Sequence, residues 1–288
     1  MLATVHHRPE YRLARRIRWA PLLALLPLLL TSSAVAQSTR LKNIELCNGS
    51  DRTSSEPRIR GCTALIAAGN ETPRILAVAY NNRGNAYLAD GDFERAIRDY
   101  DEALKIDPKY ARALNNRAVA FARSGQHQRA LQDLEEAIRS DNNYEKAFAN
   151  RAETHLNTEQ YERALQDYDR VIRYRPTPAA WAGRCRARAL IGQLQAALAD
   201  CAESLKHEQN AAAYDGRGFV YLKLGEWDLA ISDYTAALRL DPKLATALYG
   251  RGLAHSRKGL AEQASQDHAA AQNLAPDIAD VFARAGFK

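Results

Sequence analysis

From residue 77 onward, apolar and small residues recur at intervals of three and four, the spacing of a helix with one buried face. Over 77–89 the buried set is Tyr80, Gly84 and Tyr87, and over 93–106 it is Ala96, Tyr100 and Ala103. Between them Asp90-Gly91-Asp92 reads as a turn, where Gly91 can take the positive φ of a helix end, and Pro108 halts the second helix. The large residues fill the space between two helices, and Gly84, Ala96 and Ala103 are small where the backbones must approach.

That pattern returns five times. Leu114, Ala118, Phe121, Ala130, Leu134 and Ala137 make the second copy; Phe148, Ala152, His155, Ala164, Tyr168, Val171 and Pro176 make the third. Two steps one residue shorter lead to Trp181, Cys185, Ala197 and Cys201, then to Tyr214, Gly218, Tyr221, Ala230, Tyr234, Ala237 and Pro242. Leu248, Gly252, His255, Ala264, His268, Ala271 and Pro276 close the series. The turn residue is Gly91, Gly125, Gly192, Gly225 or Gly259, with Glu159 in its place in the third copy. This pattern resembles the tetratricopeptide repeat, a helix-turn-helix unit of about 34 residues. The resemblance implies an all-α, right-handed α-solenoid of six repeats, over residues 77–110, 111–144, 145–177, 178–210, 211–244 and 245–276. It also implies a concave surface, lined by the first helix of each repeat, that binds proteins or peptides without catalysis and without a cofactor.

At the N-terminus, Arg8, Arg12, Arg15, Arg16 and Arg18 precede an apolar run over 20–30 and a small-x-small site at Ala34-Val35-Ala36. This is the arrangement of a secretory signal peptide over residues 1–36, with cleavage expected before Gln37 and a periplasmic or secreted destination. The run is short for a membrane span and contains Pro21 and Pro27. Residues 37–76 then read as a helical cap, with helices near 41–47 and 58–68, and residues 277–288 as a closing helix over the last hairpin, because a solenoid exposes apolar surface at both ends.

Export changes the charge picture. The leader holds five arginines and one glutamate, so the formal charge of +6 falls to +2 after its removal; the charge then says little about nucleic acid, which an exported protein would seldom meet and which is not expected as a partner. Four cysteines in an exported chain point to bridges, and the spacing favours Cys47 with Cys62 and Cys185 with Cys201.

Candidate binding residues lie on the first helices. Asn82, Asn116 and Asn150 occupy the same place in the first three copies, 34 residues apart, and form an amide ladder suited to the backbone of an extended peptide. Gly183, Gly216 and Gly250 replace them in the last three. Asn81, Asn85, Asn115, Arg112, Arg123 and Lys146 are expected beside the ladder. Across the groove Arg112, Arg123, Lys146, Arg186, Lys223 and Arg257 outnumber Glu153 and Asp215, which suits an acidic peptide or a free carboxylate. Asn85, Asn116 and Lys146 also match three of the five positions of the carboxylate clamp of chaperone-binding tetratricopeptide domains; Asn81 stands where that clamp has lysine and Asn150 where it has arginine.

Other regularities read as scaffold. Arg83, Arg117, Arg151, Arg184, Arg217 and Arg251 are expected to pair with Asp99, Asp133, Asp167, Asp200, Asp233 and Asp267. His255 and His268 fall at packing positions without a set of metal ligands around them, and Asn48-Gly49-Ser50, although a glycosylation triplet, reads as loop. The alternatives are a self-assembling envelope protein and an unrecognised redox or metal-binding protein.

Overall fold

The computed structural model describes residues 26–49 and 54–287, and within them it contains fifteen helices and no strand. Residues 1–25 of the expected leader lie outside the described residues, and the expected cleavage point after Ala36 falls inside the first helix. The cap consists of α1 (Leu26–Cys47) and α2 (Ser55–Ala68). The six copies follow as pairs: α3 (Pro73–Ala89) with α4 (Phe93–Ile106), α5 (Ala111–Arg123) with α6 (His127–Ser140), and α7 (Glu145–Asn157) with α8 (Tyr161–Tyr174). The last three pairs are α9 (Pro178–Leu190) with α10 (Leu194–His207), α11 (Ala211–Leu224) with α12 (Trp227–Leu240), and α13 (Ala245–Arg257) with α14 (Ala261–Leu274), and a short α15 (Ile278–Arg284) ends the fold. Among the described residues no helix is long and apolar enough to cross a membrane.

The helices begin and end where local chemistry directs. α3 starts at Pro73, four residues before the expected position, because the Thr72 hydroxyl accepts from the Ile75 amide and proline is tolerated in the first helical turn. Thr177 and Asn210 cap α9 and α11 in the same way, accepting from the Ala180 and Ala213 amides. Pro108 lies just beyond α4, as expected. In the turn of the third copy Glu159 adopts φ 60°, the left-handed conformation that glycine supplies in the other five.

Within each copy a bulky residue of the second helix meets a small one of the first. Tyr100, Leu134, Tyr168 and Tyr234 are buried, and a Cβ added to Gly84 would sit 2.7 Å from the Tyr100 ring. In the fourth copy this facing pair is Cys185 and Cys201, whose sulfurs lie 2.11 Å apart; those of Cys47 and Cys62, between α1 and α2, lie 2.08 Å apart. Arg40 of α1 also grips Glu71, in the loop before α3, through two hydrogen bonds of 2.7 and 2.8 Å. This contact holds the Glu71 carboxyl below the usual carboxylate range.

The recurrent arginines and aspartates pair as expected. In all six copies the arginine of the first helix donates Nε and Nη2 to the two carboxylate oxygens of the aspartate in the second, at 2.6 to 2.9 Å. This forked geometry joins the two helices of every hairpin and accounts for the whole basic stripe as scaffold.

Candidate functional site

The curvature of the molecule identifies its inner surface. Each first helix touches the first helix of the next copy, from α3 through α13, whereas no second helix touches the next copy's second helix among the described residues. The layer whose members touch follows the shorter path, so α3, α5, α7, α9, α11 and α13 line the concave side.

On that side the asparagines form one continuous chain of amides. Asn150 Nδ2 donates to Asn115 Oδ1 (2.8 Å), Asn115 to Asn116 (3.2 Å), and Asn116 to Asn81 (3.0 Å). Asn81 then donates to Asn82 (3.2 Å), and Asn82 to Asn48 (3.0 Å). The ladder expected to bind a peptide therefore first binds itself. Each interior amide keeps one donor hydrogen and one acceptor lone pair beyond these bonds. Asn81 and Asn115 are 3% exposed, which corrects the expectation that they project into the groove: one position earlier on the helix is a rotation of about 100°, and it turns them between neighbouring helices. Asn82, Asn116 and Asn150 remain partly exposed.

Asn48 escaped the sequence reading, which took it for loop. The signal was present, since it lies 34 residues before Asn82, in register with the ladder. The glycines that end the ladder have a steric cause. A Cβ on Gly183 would lie 2.3 Å from the Tyr168 ring, one on Gly250 2.3 Å from the Tyr234 ring, and one on Gly216 3.2 Å from the Cys201 sulfur.

Around the ladder, Arg112, Arg123 and Lys146 are exposed and form no ion pair among the described residues. Arg123 and Asn150 share a hollow of about 300 Å³ whose walls include Ala118, Val119, Ala122 and Leu134. Arg112 and Lys146 lie outside it, at equivalent places in the first turns of α5 and α7. Asn85 is already engaged, its Oδ1 accepting from the Tyr100 hydroxyl at 2.8 Å.

A second hollow, of about 180 Å³, opens between the third to sixth copies and α15, with Leu156, Leu190, Phe219, Val281 and Phe282 among its walls. Asp215 stands in it. The Thr246 hydroxyl donates to Asp215 Oδ2 at 3.0 Å, whereas Oδ1 is sealed from solvent without a partner. Burial pushes this carboxyl up to about 6, against the pull of Arg186. The closing helix was expected to cover the last hairpin; it packs on α13 and α14 but also turns onto the inner face. Phe282 and Phe287 lie 5.9 and 5.6 Å from the Phe219 ring of α11, and Lys223 Nζ donates to the Ala285 carbonyl at 2.9 Å. Arg284 reaches Glu159, 125 residues upstream, at 2.9 Å.

The histidines have structural surroundings. His255 Nδ1 lies 3.2 Å from Asp267 Oδ2, and the His268 ring packs 4.7 Å from Tyr249. Among the described residues no group of three or more His, Cys, Asp or Glu is placed to hold a metal ion.

Comparisons with known proteins agree with this architecture. Two family profiles match, one described as TPR repeat over residues 84–125 and 218–259, the other as tetratricopeptide repeat over 121–191. Together they reach just over half of the 288 residues. No curated protein matches the sequence. Among solved structures, a tetratricopeptide repeat protein from Parabacteroides merdae superposes with a TM-score of 0.69 at 18% identity, over 86% of this chain and 99% of that one. The Cut9–Hcn1 hetero-tetramer of the APC/C matches with a TM-score of 0.67 at 18% identity, over 86% of this chain and 51% of the other. PilW, a widely conserved type IV pilus biogenesis factor, matches with 0.61 at 18% identity, over 72% and 98%. At such identities the likeness concerns the fold alone, an all-helical solenoid of a kind typical of protein–protein interaction. Because profiles of this one repeat together match just over half of a chain built from such hairpins, the chain belongs to the tetratricopeptide-repeat family.

Proposed function

We propose that the protein is an exported, non-enzymatic adaptor that holds a peptide or protein segment against the inner face of copies one to three, and that it acts by display. The observation that carries this reading is the trio Arg112, Arg123 and Lys146, exposed and without ion pairs beside a ladder of amides. Elsewhere the recurrent arginines are neutralised by their aspartates, so these three cations are available to a partner's carboxylates. The ladder's spare donors and acceptors suit a peptide backbone. Carboxylate recognition thus shares Lys146 with the chaperone clamp and takes its other cations from Arg112 and Arg123, since the clamp's remaining lysine and arginine positions are Asn81 and Asn150 here.

Export rests on the leader-like residues 1–36 and on the four cysteines, two pairs of sulfurs at bonding distance, which an oxidising compartment would join. The periplasm is the expected location, and a pilus factor among the structural neighbours is compatible with an envelope role.

The test is affinity capture from periplasmic extract with the parent chain and with an Arg112→Glu/Lys146→Glu variant. Charge reversal at two exposed sites leaves the hydrogen-bonded ladder intact, which replacing the asparagines would not. A partner held by the parent and released by the folded variant supports the reading; equal recovery overturns it. Thiol titration of the exported protein, denatured without reductant, is expected to find no free thiol.

A further inference from the structure

We propose that the inner face of copies three to six is a second binding site, for a helical segment with aromatic anchors and a basic side chain, and that residues 278–287 are its resident, displaceable occupant. The proposal rests on the reading of the concave face as a binding surface, but on residues separate from Arg112, Arg123 and Lys146.

The closing segment does more than a cap requires. Burying Ile278 against the last hairpin would suffice to end the solenoid, yet the segment continues onto the inner layer. There Phe282 packs between Tyr249 and Phe219, Phe287 follows onto Phe219, and Arg284 extends to the third copy. Its mode of contact is that of a docked helical ligand, with apolar anchors along one face and a charge at the rim. The residue that receives Arg284 is Glu159, held in a left-handed conformation where five copies carry glycine. Such an outlier persists only where its surroundings hold it, and here the Glu159 carboxylate meets the arginine of the docked segment.

The fit is also incomplete. Beside Val281 and Phe282 the hollow remains, and Asp215 in its wall accepts one side-chain bond, from the Thr246 hydroxyl. A ligand with an ammonium or guanidinium group at that depth would supply what the chain's own segment lacks. Arg186, exposed at the rim, is screened by water, whereas Asp215 is only partly exposed, so the deeper position favours a cation. The occupant's side-chain ion pair is weak, since Arg284 and Glu159 are each about half exposed, and its part-buried polar tie is the Lys223 bond to the Ala285 carbonyl.

The experiment uses a dye-labelled synthetic peptide spanning residues 276–288, titrated against the full chain and against a full-chain Arg284→Glu/Phe287→Ala variant. A tethered segment competes at an effective concentration on the order of millimolar, so the loosened chain is expected to bind the peptide at least about 10-fold more tightly than the parent. A peptide carrying Val281→Lys is expected to gain about 5-fold more, and to lose that gain on a loosened chain that also carries Asp215→Asn. Circular dichroism verifies folding, and Arg284→Glu alone serves should the double variant unfold. Equal affinity for parent and loosened chains, or no binding to either, overturns the displaceable occupant. A lysine gain that is absent, or that survives Asp215→Asn, overturns the basic ligand. Arg112→Glu/Lys146→Glu is expected to leave this titration unchanged, so failure of the first site would not register here.

Discussion

At the scale of the residue, the forked arginine–aspartate pairs matter most when only one partner is removed. Asp233 has a side chain 8% exposed, and Arg217 is its forked donor. Arg217→Ala leaves a buried carboxylate uncompensated, and a loss of about 3–5 kcal/mol in denaturant unfolding is expected. Lys105→Ala, which removes an exposed pair with Glu102, is expected to change stability by less than about 1 kcal/mol. These pairs were legible in the sequence, because two opposite charges recurring once per copy at a fixed offset have no cheaper arrangement than each other. The self-pairing of the asparagines was not legible. Spacing aligns Asn82, Asn116 and Asn150, but only packing shows that Asn81 and Asn115 turn inward to bridge them.

At the scale of the element, each hairpin is set by its turn and by one large–small contact. Gly91 has φ 78° and open space around its missing Cβ, so Gly91→Ala is expected to cost about 1–2 kcal/mol from backbone conformation alone. Glu159→Gly removes the same penalty in the third copy and gives up only an exposed ion pair. It is therefore expected to raise global stability by roughly 1 kcal/mol in thermal or denaturant melts. Helix ends obey the same local logic. The start of α3 at Pro73, ahead of the pattern that begins at residue 77, shows how a threonine cap followed by proline opens a helix.

At the scale of the whole molecule, the helices of each copy contact only those of adjacent copies among the described residues, so stability follows largely the sum of neighbouring interfaces. Burial holds His155 and His268 below the ordinary histidine range. The unfolded chain binds protons near pH 6.5 that the folded chain resists, so this part of the stability is present above about pH 6.5 and lost as pH falls below it. Protonation of Asp215, whose carboxyl is raised to about 6, offsets part of this loss, so the histidine contribution is read as the difference in melting temperature between the parent and a histidine variant from about pH 7 to pH 5. His155→Phe, which installs the side chain that the second copy carries as Phe121, should remove its share of that loss. Glu71 titrates lower: its carboxyl is depressed by Arg40, and its contribution fades only as pH falls below about 4. The docked segment 278–287 also belongs to this scale, since it links copies three, five and six.

The sequence by itself determined the repeating hairpins, the facing position of Cys185 and Cys201, and the arginine–aspartate forks. These depend on periodicity and on fixed offsets within one copy or between adjacent copies, and such short-range constraints are written along the chain. What only the tertiary structure decided lies between distant copies: Asn48 joining the ladder, the glycines yielding to Tyr168 and Tyr234, Asp215 left with an unpartnered oxygen, and Arg284 meeting Glu159. Those outcomes follow from the curvature accumulated over six stacked hairpins, which brings the end of the chain back over its inner face and which no single repeat encodes.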